Sequence, residues 1–139
     1  MSRSAEFETG YRGSHEAPGP DFGAPMHDLT GFYPDDVYSP KGAHIYGDLP
    51  GSRTDAAAVE QLRAVRGNPT VPVTVYRAVP ESVTPEIHPG DWVTPTKSYA
   101  DQHGQSNLGG RYRIARKTVP AKHLYTNADS LHEWGYHPD

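Results

Sequence analysis

The eight histidines of this chain make a metal site the first chemistry to consider. His132 and Glu133, followed by His137, superficially resemble the zinc-protease helix motif. In that motif two histidines four residues apart hold the metal and the glutamate is the general base. Here the two histidines are five residues apart, and Gly135 and Pro138 oppose a helix. The remaining histidines lack ligand spacing: His15, His27, His44, His88, His103 and His123. The sequence therefore predicts no metal site.

Two other kinds of site are disfavoured by missing motifs. The chain has no cysteine, which excludes thiol nucleophiles, thiolate zinc sites and disulfides. It also has no Gly-x-Ser-x-Gly elbow of the kind that exposes a serine nucleophile. The glycines of the segment 107–110 are not followed by the Lys-Ser/Thr pair of a phosphate-binding loop. The sequence thus gives little support to a serine hydrolase or an NTPase.

An arginine stands on the apolar face of a predicted strand. Residues 71–79 alternate with a period of two, so that Arg77 lies on the same side as four valines, Val71, Val73, Val75 and Val79. One interpretation is a strand-end arginine whose stem packs while its guanidinium reaches water. The other is a guanidinium held in place to bind an anion.

Polar residues also occur on two later predicted strands. Thr94 and Thr96 belong to the segment 92–96, where Pro95 should end the strand because it cannot donate to a ladder. Glu133 belongs to a predicted closing strand over 130–136. Taken singly, the threonines are ordinary strand residues and Glu133 is a solvated edge residue. Trp92 and Trp134 are predicted to lie in the core.

In their order and spacing these residues resemble a mono-ADP-ribosyltransferase of the Arg–Ser/Thr–Glu type. The resemblance covers residues 71–136. A longer similarity is to transferase modules of phage and bacterial polyvalent proteins, which share the segments Tyr-Arg-Ala-Val-Pro, Pro-Gly-Asp-Trp-Val-Thr and His-Glu-Trp-Gly-Tyr. The resemblance implies an α+β fold of the split β-sandwich kind, with two small sheets and flanking helices around an NAD+ cleft.

The resemblance also implies roles for particular residues. Arg77, with Tyr76 beside it, would bind the two phosphates of NAD+, because a planar guanidinium pairs with them bidentately. Glu133 would accept a hydrogen bond from a ribose hydroxyl while positive charge develops on the sugar. Thr94 would hydrogen-bond Glu133, and Thr96 would support the sheet and the bound NAD+. Tyr99 would line the nicotinamide pocket. The expected reaction transfers ADP-ribose to a macromolecule, with protein the first choice of acceptor, and needs no metal.

Two departures from the family pattern, at 95–96 and at Leu131, leave alternatives open. Pro95 and Thr96 replace the family's Thr and Ser. Leu131 stands where transferases that modify Arg or Asn carry Glu or Gln. His132 is expected on the opposite face from Glu133 by strand alternation. The alternatives are an NAD+ glycohydrolase toxin, a transferase acting on nucleic acid, and a non-catalytic virion or binding module with the same fold.

The remaining elements are predicted from local pattern. A helix over 54–66 has Ser52 or Thr54 as its N-cap and Gly67 after its end. A short helix over 97–103 should stop at Gly104, and a strand should cover 111–119.

Length and composition predict one loop-rich domain. The 139 residues include 14 Gly and 14 Pro, many of them before residue 50. We expect a flexible segment over 1–13 and a single domain over 14–139, in which 14–50 form a loop-rich arm and 71–136 the catalytic core. The start of the chain has no signal-peptide pattern, and no apolar run is long enough to cross a membrane. We therefore expect a cytoplasmic protein of a bacterial host or a phage-infected cell, without a membrane partner.

Charge bears on the acceptor. The formal net charge of -4 argues against non-specific binding of nucleic acid, which depends on neutralising phosphates. A basic run in the second half of the chain leaves a nucleic-acid acceptor as an alternative. The same run is also explained by a solvated face, or by a contact with a partner or a diphosphate; it consists of Arg111, Arg113, Arg116, Lys117 and Lys122.

Overall fold

The computed structural model describes residues 17–49 and 51–138, and the segment over 1–13 that was predicted to be flexible lies outside them. Within them a four-stranded antiparallel sheet has the order β1-β5-β6-β3. Its strands are β1 (Ala24–Pro25), β3 (Trp92–Val93), β5 (Leu124–Thr126) and β6 (Trp134–Tyr136). The helices are α1 (Gly42–Tyr46), α2 (Arg53–Val65) and α3 (Lys97–Asn107), with 3-10 turns at Asp35–Tyr38 and Ala121–His123.

A second antiparallel sheet pairs β2 (Pro72–Pro80) with β4 (Tyr112–Pro120) along their whole length. The strands predicted over 71–79 and 111–119 are thus confirmed. The two sheets meet at a single bridge, where Tyr76 and Thr94 exchange both backbone hydrogen bonds at 2.8 and 2.9 Å. The molecule is therefore an α+β protein with two small antiparallel sheets, as expected at that level.

Helix α2 forms as the sequence predicts. The Ser52 hydroxyl accepts the backbone N–H of Asp55 at 3.2 Å, so Ser52 is the N-cap. The apolar side chains recurring at helical spacing are all buried: Ala58, Val59, Leu62 and Val65. This face of α2 packs into the main core together with Trp134.

Helix α3 is longer than predicted, because Gly104 does not end it. A Cβ at Gly104 would lie 2.4 Å from Cγ of Tyr112 on the neighbouring strand. The glycine therefore allows α3 to approach β4 closely, and the helix continues to Asn107.

Two predicted strands are shorter than expected. The segment 92–96 forms a ladder only over Trp92–Val93, with Thr94 in the bridge to β2 and Pro95 beyond it. The segment 130–133 is a turn, in which the Ser130 hydroxyl accepts the backbone N–H of His132 at 3.2 Å. Because a side-chain oxygen takes this backbone donor, the sheet ladder begins only at Trp134.

The loop-rich arm packs against the rest of the protein. Met26, Leu29 and Val37 are almost completely buried and belong to the main core. The predicted core positions Trp92 and Trp134 are confirmed as buried. Among the residues described, no helix combines the length and apolar character needed to cross a bilayer.

Candidate functional site

Arg77 lies near the end of β2, where the two sheets diverge. Its Nη1 donates to the carbonyl oxygen of Trp92 at 2.8 Å, and its Nε lies 3.9 Å from a carboxylate oxygen of Asp91. The side chain is only 16% exposed. The guanidinium is thus held by two consecutive residues at the start of β3, Asp91 and Trp92, rather than extending freely into water.

The pairing register places two further cations on the face of Arg77. Val75 pairs with Lys117, Arg77 with Ala115 and Val79 with Arg113. Paired residues and alternate residues of a strand share a face, so Arg77, Arg113 and Lys117 lie on one face of this sheet. Arg113 and Lys117 are exposed. Part of the basic run therefore extends the positive charge of Arg77 across the two strands.

The same register separates Arg77 from two of the other predicted residues. Tyr76 and Thr94 form the bridge pair, so they share the face opposite to Arg77. The Tyr76 ring lies 5.7 Å from the Arg116 guanidinium, which occupies that face.

The two threonines form a buried pair. Thr94 is fully buried and Thr96 is 7% exposed. Their hydroxyls lie 3.2 Å apart, and the Thr94 hydroxyl also accepts the backbone N–H of Thr96 at 3.3 Å. This arrangement fixes the chain between β3 and α3. It leaves the threonines as supports of the site rather than surfaces for a ligand.

Tyr99 holds the carboxylate of Glu133. The residue lies in the first turn of α3, and its hydroxyl donates to Oε2 of Glu133 at 2.7 Å. Glu133 is partly exposed and directly precedes β6. The structure thus places a carboxylate at the end of the sheet with one oxygen oriented by a phenol.

The side chain of His132 is buried, whereas that of Glu133 is partly exposed. Strand alternation does not apply, because residues 130–133 form a turn. The imidazole of His132 stacks on the Tyr99 ring, with centroids 4.5 Å apart and planes inclined by 15°. His132 and Glu133 therefore contact the same tyrosine, one through its ring and the other through its hydroxyl.

A buried carboxylate lies behind His132. Oδ1 of Asp55 is 2.5 Å from Nε2 of His132, and Oδ2 accepts the backbone N–H of Leu49 at 2.9 Å. Both Asp55 and His132 are 1% exposed. Burial raises the pKa of Asp55, but the hydrogen bonds from Leu49 and His132 outweigh it, and its pKa lies below the ordinary value. Asp55 is therefore a carboxylate inside the protein.

Asp48 joins this pair in a cluster whose potential ligand atoms lie within 4.8 Å of one another. The oxygens of Asp55 are already used by Leu49 and His132. Asp48 itself is exposed. The geometry is accounted for by hydrogen bonds, and we make no metal assignment from it.

His103, on α3, lies within range of the charge of Arg77. It follows Tyr99 by four residues, one helical turn, so both side chains lie on one face of the helix. Burial, and then the charge of Arg77, lower the pKa of His103 to about 4. His103 is consequently neutral near pH 7. The charge of Arg77 therefore acts on His103, which lies one helical turn after the tyrosine that holds Glu133.

The predicted residues therefore fall into two groups. Tyr99 and Glu133 are in direct contact. Thr94 and Thr96 are buried nearby, and the Thr96 hydroxyl lies 3.4 Å from Nδ1 of His132. Arg77 stands apart from them, on the sheet face opposite to Tyr76 and Thr94, and its charge acts on His103 of α3. Leu131, in the position that the resemblance connects with the acceptor, is completely buried in the core.

Asp55 and His132 were missed as parts of the site. The spacing of α2 contains a signal for Asp55, because residues 55, 58, 59, 62 and 65 fall on one helical face. A carboxylate on an otherwise apolar face needs a buried partner. The identity of that partner, 77 residues away, is not readable from local pattern.

A comparison of the chain with protein-family models, curated proteins and solved structures finds no match.

Proposed function

We propose that this chain is an ADP-ribosyltransferase, which cleaves the nicotinamide–ribose bond of NAD+ and transfers ADP-ribose to a protein acceptor. The observation that carries the proposal is the oriented carboxylate of Glu133, held by Tyr99 at 2.7 Å. A partly exposed carboxylate fixed in one rotamer suits stabilisation of charge that appears only in the transition state. The proposed fold is the split β-sandwich of that family.

The positive face around Arg77 supports a diphosphate ligand. The Arg77 guanidinium is oriented by the carbonyl oxygen of Trp92, and Arg113 and Lys117 lie on the same sheet face. Guanidinium groups pair well with phosphate oxygens, and the flanking cations add attraction at longer range. NAD+ would place its phosphates here and its nicotinamide ribose toward Glu133.

The reaction balances without a metal or a redox partner. The bond between C1′ of the ribose and the pyridinium nitrogen breaks, and its electron pair leaves with neutral nicotinamide. The resulting oxocarbenium-like sugar is stabilised by Glu133, which accepts a hydrogen bond from a ribose hydroxyl. A nucleophilic acceptor atom forms the new bond to C1′ and releases its proton to solvent.

Hydrolysis of NAD+ is a second candidate, favoured by Leu131. In the family that the sequence resembles, transferases acting on Arg or Asn have a polar residue in this position. Here the side chain is completely buried and apolar, so it offers nothing to orient such an acceptor. Water would then attack C1′, giving free ADP-ribose.

One assay tests the proposal and separates its two forms. Protein is incubated with NAD+ labelled in the adenylate, alone and with a bacterial lysate, and label on macromolecules is compared with free ADP-ribose. We expect Glu133→Gln to reduce nicotinamide release at least 100-fold, while the thermal unfolding temperature stays within a few degrees. Glu60→Gln, on the exposed part of α2, is the matched control.

Wild-type turnover by Glu133→Gln would remove Glu133 from the mechanism. If the wild-type protein neither releases nicotinamide nor binds NAD+ in calorimetry, the proposed function is wrong and a non-catalytic module becomes the better description.

A further inference from the structure

A buried polar chain connects the start of α2 with the carboxylate of Glu133. It runs from Asp55 to the imidazole of His132, then by ring stacking to Tyr99, whose hydroxyl donates to Glu133. Only the last two members have a place in the proposed reaction. The first two are 1% exposed, so they are beyond the reach of a substrate.

Each link restricts one degree of freedom of the next. The 2.5 Å contact with Asp55 fixes the Nε2 edge of His132, and Thr96 lies 3.4 Å from its Nδ1 edge. An imidazole with a contact at each ring nitrogen is restrained from rotating about its Cβ–Cγ bond. Its flat face then sets the plane of the Tyr99 ring, which is nearly parallel to it at 15°.

Asp55 also fixes the protonation of this edge. Because its pKa lies below the ordinary value, it is an acceptor near neutral pH, and Nε2 of His132 must carry the proton between them. At the other edge of the ring, the Thr96 hydroxyl lies 3.4 Å from Nδ1. The hydrogen bonds to Leu49 and Ser52 in turn hold the Asp55 side chain and backbone in place.

We propose that His132, oriented by Asp55, is a positioning residue that holds the Tyr99–Glu133 pair in its reactive geometry. The inference rests on the proposed function for its effect on turnover, but its geometric content can be measured without turnover. Loss of the outer groups that orient a metal ligand reduces activity by about 10- to 100-fold. We expect the lower end of that range, about tenfold in kcat, because His132 acts through the single hydrogen bond from Tyr99 to Glu133. KM for NAD+ should change less than threefold.

His132→Gln is the main variant, because its amide can still donate to Asp55 but cannot stack on Tyr99. Asp55→Asn is the second, because it preserves shape while turning an amide group toward Nε2. His44→Gln, an exposed histidine on α1, is the matched control. Thermal unfolding of each variant shows whether it remains folded.

A double-mutant cycle separates positioning from a general structural role. Tyr99→Phe keeps the ring and removes the hydrogen bond to Glu133. If His132 acts through that hydrogen bond, His132→Gln lowers kcat about tenfold in the wild-type background and less than threefold in Tyr99→Phe. Equal effects in both backgrounds would contradict the proposal, since they would mean that His132 acts by another route.

A spectroscopic measurement covers the case in which NAD+ is not turned over. The nuclear Overhauser effect between the Tyr99 ring protons and Glu133 Hγ should be present in wild type and in His44→Gln. It should weaken at least twofold in His132→Gln and in Asp55→Asn. An undiminished effect in both folded variants would overturn the inference, whereas its weakening in an inactive wild-type protein would support the positioning role and reject the enzymatic proposal alone.

Discussion

Tyr99→Phe tests the most specific contact of the candidate site. The change removes one hydroxyl, which donates to Oε2 of Glu133 at 2.7 Å, and keeps the ring that stacks on His132. Hydrogen bonds to charged groups contribute about 1.5 to 3 kcal/mol. Because Glu133 is partly exposed and water can replace the phenol, we take the lower end of this range. Applied to the transition state, about 1.5 kcal/mol corresponds to about a tenfold decrease in kcat.

The assay is initial-rate nicotinamide release over a range of NAD+ concentrations, with thermal unfolding measured in parallel. The decrease should fall on kcat, because the hydroxyl orients a group that acts in the transition state. Tyr46→Phe is a matched control, since Tyr46 also donates its hydroxyl to a carboxylate, that of Asp36, at an exposed position. If Tyr99→Phe and Tyr46→Phe both retain wild-type kcat while Glu133→Gln is inactive, Tyr99 does not hold Glu133 during the reaction.

Two further predictions address the geometry of α3. The pKa of His103, lowered to about 4, means that the folded protein favours the neutral imidazole. Its contribution to the free energy of unfolding should therefore be fully present above about pH 6.5 and be lost as the pH decreases toward 4. After a discount for partial exposure, we expect a loss of about 1 to 2 kcal/mol. In an NMR titration Arg77→Gln should raise the pKa of His103 but leave it below 6.5, because burial remains; an unchanged pKa would place Arg77 away from α3. Gly104→Ala should lower the free energy of unfolding, measured by chemical denaturation, by about 1 to 2 kcal/mol, because the clash of the new Cβ with Tyr112 exceeds the gain in helix propensity. The control Ser106→Ala, on the exposed face of α3, should leave the stability unchanged or raise it. A stabilised Gly104→Ala would contradict the close approach of α3 to β4.

The local sequence pattern was sufficient to predict the helices and strands whose own residues favour that structure. Helix α2 has strong helix formers, a serine cap and an apolar face, and all three features act within a few residues of each other. Strand β2 alternates clearly and β4 loosely, and both predicted ranges lie within one residue of the observed ends. In each case the short-range preferences and the tertiary packing point to the same structure.

Local pattern failed where a contact from elsewhere decided the outcome. Gly104 reads as a helix stop because glycine weakens helices, but the ring of Tyr112 requires a residue without a Cβ and α3 continues. The closing strand was predicted too long because the hydroxyl of Ser130 takes a backbone donor that the ladder would have used. That competition depends on the rotamer of one side chain, which alternation of residue types does not reveal.

The candidate site shows the same division. The resemblance selected Tyr99 and Glu133, which the structure joins by a hydrogen bond. Strand alternation does not govern His132, because residues 130–133 form a turn and not an extended chain. This turn is what allows two consecutive residues to contact one tyrosine.

The buried charge of Asp55 bears on why this arrangement exists. A carboxylate that is 1% exposed needs strong partners, and an apolar residue at the same helical position would pack beside Ala58 without them. Its partners are a backbone N–H and His132, and the second of these is itself stacked on the tyrosine that holds Glu133. Because the pKa of Asp55 lies below its ordinary value, these hydrogen bonds favour the buried charge over its protonated form and stabilise the fold near neutral pH. The same contacts hold His132 against Tyr99, so the groups that support Glu133 from behind also stabilise the protein.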